Sequence, residues 1–356
     1  MEHGASVFPE SRIGVFDGDT VSHTSYAEVM AGASRLASAL DSLGIAVGDR
    51  VGTFSWNNLA HMEAYLAIPS MGAVMHTINI RLAPEQIAYV INHAGDRAVV
   101  LDASLRDVFA PVVPMLETVE HILMVGQAPE LPGIHCIDYE QLLAAQSAGF
   151  EWPLLDETSA AAVCYTSGTT GEPKGVTHSS NTMLSNLGPF AERLGLGGDD
   201  VIHMPSPLAH QLGFMYGIVL PIMLGGTAIL QDIFSAPEMA RQIREEAASF
   251  TMGATPFLND LTEHVAATGQ ATPSLRVFVS AGAPIPRALV AKARQTLGAA
   301  IVSAWGMSEN GAVTTTRLDD GEEKATTTDG CKLPGIELRI VDANGALLPN
   351  GSEGQL

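Results

Sequence analysis

Cysteine is scarce. Cys136, Cys164 and Cys331 are the whole complement, an odd number with no Cys-x-x-Cys pair. A disulfide framework is therefore not expected, and a reducing, cytoplasmic setting is the better reading. Basic side chains are also few: Lys and Arg total 18 against 39 Asp and Glu, a net charge of −21, and they are scattered rather than clustered. So acidic a surface repels a phosphate backbone, which argues against general nucleic-acid binding. The 11 histidines form no His-x3-His pair and no His-Glu-x-x-His helix, so no zinc site is indicated. The N-terminus carries Glu2, Glu10, Asp17 and Asp19 and lacks the apolar core of a signal peptide. Internal repeats and low-complexity tracts are also missing.

One stretch, Met204 to Gln231, has no Lys, Arg, Asp or Glu. It is long enough to raise a transmembrane reading. Pro205, Pro207, Gly213, Gly217, Pro221, Gly225 and Gly226 interrupt it, and no basic flank sets an orientation. A buried helix near Leu212–Met223, a Gly225-Gly226 turn and a buried strand Thr227–Leu230 account for it better.

What is present is an α/β chain of 356 residues, 46% of them hydrophobic. At about 150 residues per domain this allows two to three domains or subdomains with sizeable cores. Helix and strand signals alternate. Ser25 to Glu28 forms a capping box, followed by Val29, Ala33, Leu36 and Leu40 on one helical face. Pro84 opens a helix to His93 that Gly95 closes. Val51–Phe54, Ala73–Thr77 and Ala98–Leu101 read as buried parallel strands. Leu59–Ile68 reads as a helix between them. The pattern resumes with helix Pro237–Ala248, strands Thr251–Thr255 and Leu275–Ser280, helix Arg287–Leu297 and strand Ala300–Ser303. After residue 310, β-prone pieces such as Ile336–Val341 lie between turn signals and suggest antiparallel hairpins, a small barrel or sheet.

The strongest chemical signal follows the apolar strand Ala160–Cys164. It runs Tyr165-Thr166-Ser167-Gly168-Thr169-Thr170-Gly171-Glu172-Pro173-Lys174-Gly175. Glycines that let a backbone approach an anion, hydroxyl donors and one lysine together make a phosphate cradle. It is not a Walker A loop, because Lys174 lies between Pro173 and Gly175 instead of opening a helix. Such loops are mobile when empty, so weak order is expected for about Gly168–Pro173 without nucleotide.

This loop resembles the signature of the adenylate-forming superfamily of acyl-CoA synthetases, luciferase-like enzymes and peptide-synthetase adenylation domains. Three further segments match in order: Pro207 to Gly213, Ser280 to Pro284, and Trp305-Gly306-Met307-Ser308-Glu309. The resemblance implies the large domain of that fold. Residues 1–310 would form two interwoven α/β subdomains with mainly parallel sheets, and 311–356 the start of a β-barrel-like piece. The small C-terminal domain and its catalytic Lys would lie beyond Leu356.

The implied chemistry is ATP-dependent activation of a carboxylic acid to acyl-AMP, then transfer to coenzyme A, with Mg²⁺ as cofactor. Transfer to a carrier protein and a non-catalytic nucleotide-binding role are the alternatives. The resemblance assigns catalysis to His210, Lys174 and Glu309. Nucleotide binding goes to Thr166, Ser167, Gly168, Thr169, Thr170, Gly171 and Lys174, to Ala281, Gly282, Ala283 and Pro284, and to Trp305, Gly306, Met307 and Ser308. The acid would meet His210, Gly213, Phe214, Gly217, Thr255, Gly282, Gly306 and Met307, and Mg²⁺ would meet Glu309 and Thr166. Leu208, Ala209 and Gln211 offer no carboxylate for an α-ammonium, so an uncharged, apolar short- or medium-chain or alicyclic acid is expected. Small-molecule partners alone are implied; the oligomeric state is left open, a homodimer being one option. Cys164, with no base beside it, reads as core.

Overall fold

The computed structural model describes every residue except 1, 17, 19, 128, 129 and 167–170. The strands in chain order are β1 (Arg12–Phe16), β2 (Val21–Ser25), β3 (Arg50–Phe54), β4 (Val74–Thr77), β5 (Asp96–Asp102), β6 (His121–Val125), β7 (Cys136–Asp138) and β8 (Ala160–Thr166). They continue with β9 (Lys174–Ser179), β10 (Val201–Met204), β11 (Thr227–Leu230), β12 (Phe250–Ala254), β13 (Val277–Ala281), β14 (Ala300–Met307), β15 (Gly311–Thr315) and β16 (Cys331–Lys332). Two sheets result, ordered β7-β6-β5-β3-β4-β8-β9 and β16-β15-β14-β13-β12-β10-β11-β1-β2. Most neighbours run parallel, and the antiparallel pairs sit at the edges: β8–β9, β1–β2, β14–β15 and β15–β16.

Local chemistry explains the elements. The capping box of Ser25 and Glu28 starts helix Tyr26–Ser42. Helix Pro84–Ala94 ends at Gly95, whose φ of 71° is the left-handed conformation a C-cap favours. Strands β3, β5 and β13 are apolar runs buried on both faces, the signature of parallel sheet covered by helices. A single apolar cluster joins the sheets: Val51, Met75 and Val100 from one share it with Ile202, Phe250 and Val302 from the other.

Two expectations change. The charge-free helix is not continuous; Gln211–Phe214 and Leu220–Leu224 are α-helical, and Met215–Val219 between them is a π-helical turn. No helix among the described residues is long and apolar enough to cross a membrane. The stretch after β16 contributes only isolated bridges, Val341 with Leu347 and with Gln355, so Ile336–Val341 is not a strand and no closed barrel is present among the described residues. Its side chains are largely exposed, so few neighbours reward strand pairing there.

Candidate active site

The phosphate motif is the tip of a hairpin. β8 runs on to Thr166 and β9 returns from Lys174, pairing Thr166 with Lys174 and Tyr165 with Gly175. Lys174 is thus an exposed strand residue. Ser167, Gly168, Thr169 and Thr170 lie outside the described residues, so that half of the segment expected to be weakly ordered does too. Gly175 has a packing reason to lack a side chain: a Cβ there would lie 3.2 Å from the Tyr165 ring. Thr166, Gly171 and Pro173 line an open cleft of about 550 Å³.

The C-terminal ends of parallel strands from both sheets converge on this cleft. β4 and β8 contribute Thr77 and Cys164, and β12 and β13 contribute Ala254 and Ala281. Ligands of open α/β sheets bind in such crevices. The segment after β10 crosses the floor and is pinned from the opposite sheet. The Thr77 hydroxyl donates to the Ala209 carbonyl at 3.0 Å, and the Tyr65 hydroxyl donates to the Leu208 carbonyl. Asn57 is the buried clasp: its Nδ2 donates to the Ser206 and Gln231 carbonyls at 2.9 and 2.8 Å, and its Oδ1 accepts from Leu208 N–H at 2.8 Å. Buried Cys164, its thiol pushed up by desolvation, is part of this support.

His210 ends the pinned segment and caps the turn Gln211–Phe214, Nδ1 accepting from Leu212 N–H at 3.2 Å. Desolvation lowers its pKa, so the neutral ring carries its proton on Nε2. Beyond it lies a second cavity of about 200 Å³, walled by residues such as Leu212, Met252, Ala304, Trp305, Gly306 and Met307. His210, Leu212, Ala281, Gly282 and Ser308 line both spaces. Among the described residues no Lys, Arg, Asp or Glu lines the smaller one.

The remaining motif residues fall around this junction. Strand β14 extends through Trp305 and Gly306 to Met307, and Met307 N–H donates to Asn310 Oδ1 at 3.0 Å across the turn that presents Glu309 to solvent. Gly282 has φ of 80°, and the Thr255 hydroxyl donates to the Ala283 and Pro284 carbonyls at 3.3 and 3.4 Å, bracing the Ala281–Pro284 turn from behind. Four acid-pocket expectations, Gly213, Phe214, Gly217 and Thr255, are not placed in either cavity wall. Phe214 is fully buried and stacks on Tyr65 at 5.4 Å. Gly213 abuts the Pro207 carbonyl, and Gly217 abuts Met204. Their glycines serve close packing of the broken helix.

Sequence reasoning missed three residues. Asn57 follows β3 outside any motif. His178, on β9 and buried, donates from Nε2 to the Ser308 carbonyl at 2.7 Å and so ties the hairpin to the Glu309 turn. Burial lowers its pKa, which keeps this tautomer neutral. Among the described residues Arg81 is the one Lys, Arg, Asp or Glu lining the larger cleft, and it makes no ion pair with them.

The donor set also suits Mg²⁺. Glu309 is one exposed carboxylate and Thr166 one hydroxyl, and no group of three or more metal-ligating side chains occurs among the described residues. Mg²⁺ is ordinarily held by one or two carboxylates together with substrate phosphates and water.

Comparison with known proteins agrees with this geometry. A 3-methylmercaptopropionyl-CoA ligase of Ruegeria lacuscaerulensis is 34% identical over 98% of this chain and 68% of its own length. A medium-chain-fatty-acid–CoA ligase of Ectopseudomonas oleovorans is 32% identical over 92% of the chain and 63% of that relative. The chain thus spans roughly two thirds of their length. The crystal structure of the anthranilate CoA ligase AuaEII with anthranoyl-AMP superposes with a TM-score of 0.91 at 22% identity over 99% of this chain and 67% of that one, a likeness of fold. These relatives support activation of an acid to acyl-AMP with transfer to CoA, and they do not favour the carrier-protein alternative. The match to the AMP-binding enzyme family extends over residues 1–356, and the chain belongs to that family.

Proposed function

We propose that the larger cleft takes ATP, that the smaller cavity takes the hydrocarbon part of an uncharged carboxylic acid, and that His210 holds the carboxylate between them. The reading rests on one observation: His210 borders both spaces at the convergence of the two sheets. Its Nε2–H donates to the carboxylate oxygen that does not react. The other oxygen attacks the α-phosphorus, the bond to the bridging oxygen breaks, and acyl-AMP and pyrophosphate form. Thr166 and Lys174 bind phosphate oxygens at the end of the hairpin, and Arg81 adds a further positive charge to the cleft wall. Ser308 donates to the α-phosphate, while the Gly282 turn, which lines both spaces, borders the base. Glu309 and Thr166 hold Mg²⁺, which supplies neutralisation of charge building on the phosphates.

The absence of charged residues from the smaller cavity supports a short- or medium-chain or single-ring acid over an amino acid or dicarboxylate. In the complete enzyme the acyl group passes to the CoA thiol. The free thiols Cys136, Cys164 and Cys331 support a cytoplasmic setting. Pyrophosphate release with hydroxamate trapping across a panel of acids tests the reading. Acid-dependent pyrophosphate release is the expected result. Absence of both ATP binding and pyrophosphate release would overturn it.

A further inference from the structure

The phosphate hairpin is fastened at its root. Tyr165, the residue before Thr166, donates its hydroxyl to His93 Nδ1 at 2.6 Å. Burial, then the nearby Asp96 and Tyr89, push the Tyr165 pKa up to about 12, so the hydroxyl keeps its proton and His93 carries its own on Nε2. Three elements enclose the ring. His93 stands edge-on to it with centroids 5.8 Å apart, His76 on β4 packs against it at 5.0 Å, and a Cβ at Gly175 on β9 would lie 3.2 Å from it. His76 is itself fixed, because its Nδ1 bonds Asp96 at 2.6 Å and both side chains are fully buried. Asp96 follows the Gly95 C-cap of the helix that carries His93. Arg50 ties that helix end down, Nε donating to the Ala94 carbonyl at 2.6 Å and Nη2 to the Gly95 carbonyl at 3.0 Å. Gln86 and Val90 on the same helix line the larger cleft, as Tyr165 does. His93 is exposed and lines neither cavity.

We propose that His93 is a positioning residue: by holding Tyr165 it fixes the phosphate hairpin against the helix that walls the larger cleft. Successive residues of a strand point to opposite faces, so a bolt on Tyr165 sets where the Thr166 hydroxyl stands. Thr166 pairs with Lys174, so both phosphate-binding residues inherit that placement. Binding groups recognise a ligand well only when neighbouring contacts lock their own positions. His93 acts through Tyr165 and touches no ligand. The inference rests on the assignment of the hairpin to the phosphates of ATP.

The test is calorimetric titration of the 356-residue chain with Mg²⁺-ATP and with AMP, which lacks two of the three phosphates. His93→Ala should weaken ATP about fivefold, the range of a single hydrogen bond, and AMP by less than about twofold. His93→Asn places an amide oxygen near the position of Nδ1 and should restore ATP binding to within about twofold of the wild type. Tyr165→Phe keeps the ring on His76 but loses the donor. It should match His93→Ala, and combining the two should cost nothing further. Should Tyr165→Phe fail to fold, the two His93 variants decide. Unchanged ATP binding in His93→Ala overturns the inference. Equal losses for ATP and AMP overturn it too, as does an Asn variant as weak as the Ala variant, since either would mark His93 as support for the helix alone. A wild-type chain that binds neither nucleotide overturns the site assignment itself.

Discussion

On the phosphate side of the cleft the chemistry is contiguous. Tyr165 to Gly175 supplies hydroxyls, glycines and a lysine in one hairpin tip, and β8 and β9 hold its ends in register. On the acyl side the wall is assembled from the turn at Gln211 and Tyr216, the middle of β12, the turn after β13, and β14 with the start of β15. Phosphate recognition needs backbone and hydroxyl groups at close spacing, which a short segment can encode. A shaped apolar cavity needs surfaces from several elements, which only tertiary packing brings together. The first half is therefore exposed and chemically explicit, and the second is set by what packs behind it.

The sharpest way to separate the halves is Glu309→Gln. The carboxylate is exposed and supports no core contact, so its loss should act on chemistry alone. Acyl-AMP formation should slow by about a hundredfold or more, roughly 3 kcal/mol of charge stabilisation. The thermal midpoint should stay within a degree or two. Single-turnover adenylation at the wild-type rate would remove Glu309 from the site.

Asn57→Ala is expected to have the opposite character. It leaves the Ser206 and Gln231 carbonyls and Leu208 N–H without their buried partner, at a cost of about 3 kcal/mol. Chemical denaturation should show that loss, with weaker binding of acid and nucleotide alike because both sheets lose their shared clasp. A variant of unchanged stability would show that the Thr77 and Tyr65 contacts suffice.

How legible each half was follows from the same contrast. The alternation of helices and strands, the capping box at Ser25 and the Gly95 C-cap were readable because propensity and packing agree there. The hairpin was readable as a motif but not as a strand pair: β9 carries Gly175, Thr177 and Ser179, a weak strand signal that pairing to β8 overrides. The π-helical turn was not readable, since its residues are apolar and helical in pattern. Asn57, His178 and Arg81 lie outside any familiar spacing, and only their partners or positions in the fold reveal them.

Buried and cleft-facing histidines offer a further contrast. His61 and His203 are fully buried, and desolvation lowers each from the usual 6.5 to about 4. His61 accepts from Thr53 and donates to the Trp56 carbonyl, while His203 donates to Gln242. Between these values the unfolded chain binds protons that the fold excludes. Stability is then complete above pH 6.5 and falls as pH drops towards 4, by roughly 1–2 kcal/mol from each at pH 5. Melting curves at pH 7 and pH 5 should show it, and His203→Gln should flatten the dependence. An unchanged slope in that variant would mean that other groups carry the acid sensitivity.

Gly217→Leu tests whether the broken helix is wall or backing. A Cβ at Gly217 would lie 2.5 Å from Met204 Cγ, so a larger side chain should overpack the helix against β10 and cost about 2 kcal/mol. The ranking of acids should not change. A shift toward acetate-sized acids at normal stability would return Gly217 to the acyl wall.

The smallest effect is expected where the two halves touch. His178 reaches from the hairpin to the Ser308 carbonyl at 2.7 Å, so it positions the Glu309 turn without facing the substrate. One hydrogen bond of this kind is worth about 1 kcal/mol. His178→Ala should therefore slow adenylation about fivefold. His178→Gln can still donate to the Ser308 carbonyl and should recover most of the loss, which a role in bulk packing would not predict. Because the link bears on how Glu309 is held, the Ala variant should also need more Mg²⁺ for half-maximal rate, while its KM for the acid stays put. Equal losses in the Ala and Gln variants, or a changed acid KM with an unchanged Mg²⁺ requirement, would show that His178 supports the cavity wall and leaves the metal-bearing turn alone.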